Sequence, residues 1–559
     1  MREYSHIIVG GGAAGSVMAN RLSASGAETV LVIEAGPDVP PDDIPPDIRS
    51  IYPLSYFNQA YMWPDTRVYW RKKDNSRMSF LPQGRVLGGS SQIMGMWALR
   101  GHPSDYDDWA EMGAPDWSWD KVKPYFRRLE TDIDFPGGDH GSAGPLEIRR
   151  GAAAERGPVA AALARLSQAR GWDEIADMNV DFRDGHCALP ISRGVDRRGS
   201  AGLNYLDAEA RARPNLEVLT RCHAEQVIFE NGRAAGVRYR DEQGGLSQVR
   251  GANVILTAGA LRSPLLLMRS GIGPADMLRA AGIDVQHDLP GVGAGLQNHA
   301  VIYVTGMLTP QGQDPKGVRP PGSTLIRWTS GGEGGQPADM AMYIRSDLSW
   351  HALGRKMASL APALMRPAST GSIRLSPEGE PLIEFDMFSA PNDLERLKDG
   401  VRLTVELFNK LHEQGLSGKP MLIADAAGLG RYNNVTRWNA LRAWAAATLI
   451  RVAPRMGQAL VSKLADFEDA NAIVADDRAL TAFVEAAVTG TGHICGTCRI
   501  GGADDPLAVV DQAGHVHGIE GLMVADASVM PRVPAANTHI PTVMVAEKVA
   551  SGLVGDFSA

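Results

Sequence analysis

Residues 6–9 form a short, mostly apolar run that stops at a glycine cluster, Gly10-Gly11-Gly12-Ala13-Ala14-Gly15, after which apolar positions recur at Val17, Ala19 and Leu22. The change from a continuous run to a helical spacing predicts strand, turn and helix in that order. A second apolar run at residues 29–33 predicts the next strand and ends on Glu34. The strand pattern returns at residues 254–256, again just before a glycine. Across residues 438–460 apolar positions are dense but interrupted by Arg442, Arg451 and Arg455, which predicts an amphipathic helix. No apolar stretch of about 18 residues occurs, so no membrane span is predicted.

Composition narrows the partners. The chain has 559 residues, 44% hydrophobic and 21% charged, which is globular composition with room for more than one domain. Its 62 glycines and 35 prolines fall in short clusters, the mark of many tight turns. A net charge of -8 with no long basic run gives no electrostatic ground for nucleic acid or an anionic membrane. A small-molecule partner is expected instead. Four cysteines, Cys187, Cys222, Cys495 and Cys498, are too sparse for a disulfide framework. Together with an amino terminus that lacks the signal-peptide pattern, they predict a cytoplasmic protein. No internal repeat or low-complexity tract is evident.

The first glycine cluster carries the first chemical signal. Gly10 permits the turn, Gly12 lets a pyrophosphate approach backbone N–H groups at a helix terminus, and Gly15 lets helix and strand pack closely. Glu34, about 20 residues on, is placed to accept hydrogen bonds from an adenosine ribose. By itself this turn does not separate FAD from NAD. Two further blocks follow. Gly84-Arg85-Val86-Leu87-Gly88-Gly89-Ser90-Ser91 suits a loop laid against a flat or anionic ligand. Gly259-Ala260-Leu261-Arg262-Ser263-Pro264 continues through Leu265, Leu266, Leu267, Met268, Arg269 and Ser270 to Gly271-Ile272-Gly273.

These two blocks resemble the two signatures of the glucose-methanol-choline (GMC) oxidoreductases. The resemblance extends through Asp105-Tyr106-Asp107-Asp108-Trp109, His140-Gly141-Ser142-Ala143-Gly144-Pro145, Pro290-Gly291-Val292-Gly293 and Val524-Ala525-Asp526-Ala527-Ser528, nearly the whole chain. Within the family the chain is most similar to 5-hydroxymethylfurfural oxidase-like members, then to choline dehydrogenase-like ones. The resemblance implies FAD as cofactor, an alcohol (usually primary) as hydride donor, and O2 or a quinone-type carrier as electron acceptor. It places FAD on Gly10, Gly12, Ala13, Ala14, Gly15, Glu34, Ala35, Arg85, Gly88, Gly89, Ser90, Gly95, Val227, Asp526 and Ala527, with His539, Pro541 and Thr542 beside it. Met94 stands where the family usually has Asn or His, so a polar contact to the flavin is missing there. Ile93 occupies the position that carries a histidyl-flavin bond in some members, which implies non-covalent FAD.

Removing hydride from an alcohol carbon requires a base for the hydroxyl proton, and histidine titrates near working pH. The chain has 13 histidines. The resemblance assigns the catalytic position to His493, in Gly492-His493-Ile494-Cys495-Gly496-Thr497-Cys498, and a second one, His or Asn among members, to His539 in Asn537-Thr538-His539. Relatives commonly carry a bulky aromatic where this chain has Gly492, so a wider substrate pocket is expected unless Met94 or Trp350 refills it.

Other groupings predict less. Cys495-Gly496-Thr497-Cys498 is a C-x-x-C without a thioredoxin-like setting, and its combination with His223-Ala224-Glu225 lacks the spacing of a zinc deaminase, so no metal site is predicted. His515 and His517 alternate like a strand, and His140 and His299 sit among turn residues as structural groups. The expected architecture is α/β: a Rossmann-like FAD-binding domain and a substrate-binding domain whose antiparallel sheet is covered by helices. Cofactor motifs are dispersed, so the FAD domain is expected to be discontinuous, over residues 1–150, 216–300 and 495–559, with the substrate domain over 151–215 and 301–494. The Gly- and Pro-rich segment 309–337 reads as a pocket cover or a surface insertion. Flavin-dependent alcohol oxidation is the leading function, a lyase that keeps FAD structurally (hydroxynitrile lyase-like) the alternative. Neither the particular alcohol nor the oligomeric state follows from the sequence.

Overall fold

The computed structural model describes residues 3–151, 156–315, 324–331, 334–425, 432–453, 456 and 465–555. One sheet grows from the amino-terminal strand Glu3–Val9, which pairs in parallel with Val30–Ile33 on one side and Leu246–Leu256 on the other. Leu216–Leu219 extends it in parallel beyond Val30–Ile33, and Leu522–Val524 pairs with the end of Leu246–Leu256. Ile7, Ile8, Val9 and all of Val30–Ile33 are buried, as expected of parallel strands covered on both faces. His223–Glu230 and Arg233–Arg240 complete this sheet as antiparallel strands. Residues as distant as 3 and 524 thus build one layer.

The helix Ala13–Ser23 leaves the first strand through Gly10, whose φ of +102° is the left-handed region where glycine is favoured. It packs against the carboxy-terminal helix His539–Val554, and the two are tied by a partly buried ion pair, Arg21 Nη2 to Glu547 at 2.7 Å, with the Tyr205 hydroxyl donating to the same carboxylate. Both helices begin at one cavity, so this packing fixes the glycine turn and His539 relative to each other.

A second sheet is antiparallel, in the order Asp466–Asp469, Met421–Asp425, Val304–Met307, Met357–Leu364, Met340–Arg345, Thr324–Trp328 and Gly185–Ala188. The long helix Pro391–Glu413 lies across it, with Gly400 close to Met340 and Pro362. A smaller sheet joins Arg67–Tyr69 and Met78–Phe80 to Gly371–Leu375 and Pro381–Glu384, so strands assigned by sequence to different domains are stitched together. The helix expected over 438–460 is observed as Arg437–Val452; residues 454–455 and 457–460 lie outside the described residues. Of the segment 309–337, residues 316–323 and 332–333 also lie outside them. No helix among the described residues is long and apolar enough to cross a membrane.

His140 belongs to a buried ion network. Its Nδ1 lies 2.8 Å from Glu130 and 3.1 Å from Asp132, and its Nε2 lies 2.5 Å from Asp177. Arg100 reaches Glu130, and Arg150 bridges Asp132 and Asp177. Glu130, Asp132 and His140 are close enough together to hold a metal ion, but the guanidinium groups already occupy the carboxylates. Three acids and two arginines balance only when His140 is protonated. Burial alone would push its pKa down, yet the hydrogen bonds to Asp177 and Glu130 outweigh it and hold the pKa near 9.

Candidate active site

A cavity of about 830 Å³ runs from the glycine turn to the antiparallel sheet. At its nucleotide end, Gly12 caps the helix Ala13–Ser23 with no side-chain cap and no acid in the first turn, which leaves the positive helix terminus uncompensated. A Cβ at Gly12 would meet nothing closer than 3.8 Å, whereas one at Gly15 would stand 1.9 Å from the Gly10 carbonyl oxygen. Gly12 therefore keeps a cradle open, and Gly15 permits packing. Glu34 lines the same end, accepting from the N–H groups of Gly11 at 2.8 Å and Gly36 at 2.7 Å. Burial raises its pKa to about 7 against those donors.

Gly10, Ala13, Ala14, Ala35, Gly89 and Ser90 line the cavity, followed by Ile93, Met94 and Gly95, then Asp526, Ala527 and Thr542. The Asp526 carboxylate is engaged by the protein itself, accepting from Gly259 N, Ser263 Oγ and Ser528 N, so it ties its own segment to the Gly259–Ser263 turn at the cavity. Gly15, Arg85, Gly88, Val227 and Pro541 do not line it. Arg85 lies over Trp63 and donates to the Ala35 carbonyl. At Val227 the backbone N–H donates to Ser270 Oγ, while Cys222, His223 and Ala224 line the cavity.

The histidines meet at the other end. His299 Nε2 lies 3.1 Å from the Pro534 carbonyl oxygen, which can only accept, so that nitrogen carries the proton. Burial pushes the His299 pKa down to about 3, leaving the ring neutral and its Nδ1 a bare acceptor. That Nδ1 stands 2.8 Å from His493 Nδ1, which must therefore donate. Thr491 Oγ, 2.7 Å from the same His493 nitrogen, is free to pass its own proton to Asn298 Oδ1. His493 Nε2 is left as the lone-pair nitrogen, 2.9 Å from the Asn537 side-chain nitrogen. Burial, then His299, hold its pKa well below the ordinary value, so the ring stays neutral. The reading of His299 as merely structural is thus corrected, since it sets the tautomer of His493.

His539 starts its helix with Nε2 buried and without a hydrogen-bond partner. Burial and the charge of Arg198 lower its pKa to about 4. Arg198, fully buried, donates to the carbonyls of Ser91 and Met94 and so shapes the loop beneath the cavity. Sequence reasoning missed His299, Thr491, Asn298 and Arg198; for His299 the signal was its place just after the Pro290–Gly293 block. Gly492 faces open space as expected, but its φ of +85° means that any side chain there would also strain the backbone before His493. Met94 lines the cavity, while Trp350 is held outside it by its bond to the Asn433 carbonyl.

The remaining groupings resolve simply. Cys495 and Cys498 are buried free thiols whose pKa burial pushes up, so neither is poised as a thiolate. Glu225 is engaged by Arg240, His515 by Asp511, and His517 by the Gly501 carbonyl.

Comparison with known proteins adds the following. GMC oxidoreductase family models match residues 4–301 and 367–546. The chain is 38% identical to a 5-(hydroxymethyl)furfural oxidase of Methylovorus sp. (strain MP688), covering 99% of this chain and 98% of the relative. It is 32% identical to an oxygen-dependent choline dehydrogenase of Rhizobium rhizogenes, over 99% and 96%. Its fold matches the crystal structure of a pyridoxine 4-oxidase from Mesorbium loti with a TM-score of 0.81 and 26% identity over the full length of both chains.

Proposed function

From the premise that this chain belongs to the GMC oxidoreductase family, as an FAD-dependent enzyme acting on CH–OH groups, we propose that it oxidises a primary alcohol to an aldehyde, with His493 taking the hydroxyl proton. The observation that carries the reading is the unprotonated Nε2 of His493, which accepts from the Asn537 amide, in the same cavity as the glycine turn. Gly12's open cradle, the uncapped helix terminus and Glu34 fit the nucleotide half of FAD, and the loop around Ile93 and Met94 fits the isoalloxazine. Bound FAD supplies the acceptor for the hydride leaving the carbinol carbon. His493 Nε2 accepts the hydroxyl proton while Nδ1–H remains held by His299 and Thr491. Asn537, beside Nε2, and the unpartnered His539 Nε2 orient the alcohol oxygen. The aromatic walls, among them Trp97, Tyr343 and Tyr303, favour a flat substrate and exclude water. The sequence-based division into FAD and substrate domains is part of this proposal, the first sheet serving the cofactor and the antiparallel sheet the alcohol.

Turnover of an alcohol panel, with peroxide and dye reduction followed in parallel, tests this reading and identifies the acceptor. Aldehyde should form in proportion to the acceptor reduced, whereas a lyase would split a cyanohydrin with no acceptor consumed. Ile93, a side chain that cannot bond to flavin, supports non-covalent FAD. On acid precipitation the yellow colour should remain in the supernatant; colour in the pellet would mean a covalent bond.

A further inference from the structure

We propose that the substrate end of the cavity is a carboxylate site built on Arg345, and that the preferred alcohols carry a carboxylate across an aromatic ring from the carbinol. This rests on reading the cavity as the alcohol site.

Along Met340–Arg345, alternate residues share a face, and Tyr343 and Arg345 both line the cavity. Their partners on Met357–Leu364 are Ala361 opposite Tyr343 and Ser359 opposite Arg345, small residues that leave the space above the sheet free. Tyr343 interacts with Asn537, which itself touches His493 Nε2, so Tyr343 marks the reacting end. Arg345 stands two residues further along the strand, about 6.5 Å away, a spacing on the scale of one aromatic ring. Trp97, stacked on Tyr343 at 4.7 Å, provides a flat wall beside that path.

Charge makes the assignment. Among the described residues the carboxylates lining the cavity are Glu34 and Asp526, both at the nucleotide end and both engaged by backbone N–H groups. Among the described side chains none forms an ion pair with Arg345. Ser359 Oγ, on a residue only 3% exposed, also has no hydrogen-bond partner, and it lies in register with Arg345. Tyr303 and Tyr56 are 40% and 37% exposed, yet that surface faces the cavity, and burial keeps both hydroxyls protonated against the pull of Arg345. The group consists of a guanidinium and three hydroxyls with no negative charge, which is the donor set of an anion site. A quaternary ammonium alcohol would instead meet like charge there.

Binding to holoenzyme tests this without turnover. In calorimetry, 4-methylbenzoate should bind wild type at least about tenfold more tightly than the neutral 4-methylbenzamide, roughly a 1.4 kcal/mol preference. Arg345→Met should abolish that preference, and Ser359→Ala should reduce it severalfold. In parallel, kcat/KM for 4-(hydroxymethyl)benzoate over its methyl ester should fall about tenfold in Arg345→Met, chiefly through KM. Equal binding of benzoate and benzamide to wild type, or an unchanged preference in Arg345→Met, overturns the proposal. If benzoate binds through Arg345 but no alcohol in either series is oxidised, the carboxylate site stands and the alcohol-oxidation reading falls.

Discussion

His493→Ala should retain FAD yet reduce its flavin with a primary alcohol about 10²- to 10⁴-fold more slowly than wild type, the range lost with a positioned general base. The expectation follows from proton bookkeeping. His299 donates to Pro534 and leaves its other nitrogen to accept from His493, so the nitrogen His493 offers the cavity is unprotonated. Because burial and His299 lower the His493 pKa, the wild-type rate should hold steady from pH 8 down through about 6.5, the ordinary histidine value, and fall only at more acid pH. His539→Asn should cost less, since an amide can still hydrogen-bond the alcohol oxygen. Rapid-mixing absorbance of the flavin checks each variant, with the bound FAD spectrum confirming that the cofactor site is intact. Reduction of His493→Ala at the wild-type rate would place the proton acceptor elsewhere.

The largest stability effect is expected outside the cavity lining, at His140. Replacing it by leucine leaves Glu130, Asp132 and Asp177 buried against only two arginines, and breaking a buried ion group in this way typically costs about 3–5 kcal/mol. The pH dependence has a definite sign. The folded-state pKa, near 9, is raised above the ordinary 6.5, so the stabilisation is complete below about pH 6.5 and is lost as pH rises through about 9. A shift of that size corresponds to roughly 3 kcal/mol by linkage, the same order as the mutational cost. Urea denaturation of the holoprotein at pH 6.5 and 9.5 should therefore show a larger midpoint loss for wild type than for His140→Leu. Equal losses would mean that His140 does not carry the proton the network requires.

Much of the cofactor end was legible in the sequence because glycine constraints are local. Gly10 takes a left-handed φ, Gly15 lets the helix approach the turn, and Gly12 leaves open space beside the helix terminus, with Glu34 arriving next to them at the end of a short buried strand. Which residues of the strand His223–Glu230 line the cavity was not legible, because facing depends on register and this strand carries bulges on either side of Val227. His299 was undervalued for a different reason: its importance lies in a contact with a residue 194 positions away, which no local pattern reports. Arg345 was invisible for the same cause. An arginine at the end of a strand is ordinary until the fold leaves it facing a cavity with no ion-pair partner among the described residues.

The central claim, that an alcohol delivers its proton to His493 and its hydride to bound FAD, is tested most directly by a single anaerobic turnover. Holoprotein mixed without oxygen with a panel of primary alcohols, including 4-(hydroxymethyl)benzoate and its carbinol-dideuterated form, should lose its oxidised flavin absorbance. The deuterated substrate should be slower, and one aldehyde should form per flavin reduced. A flavin that stays fully oxidised across the panel would contradict the account.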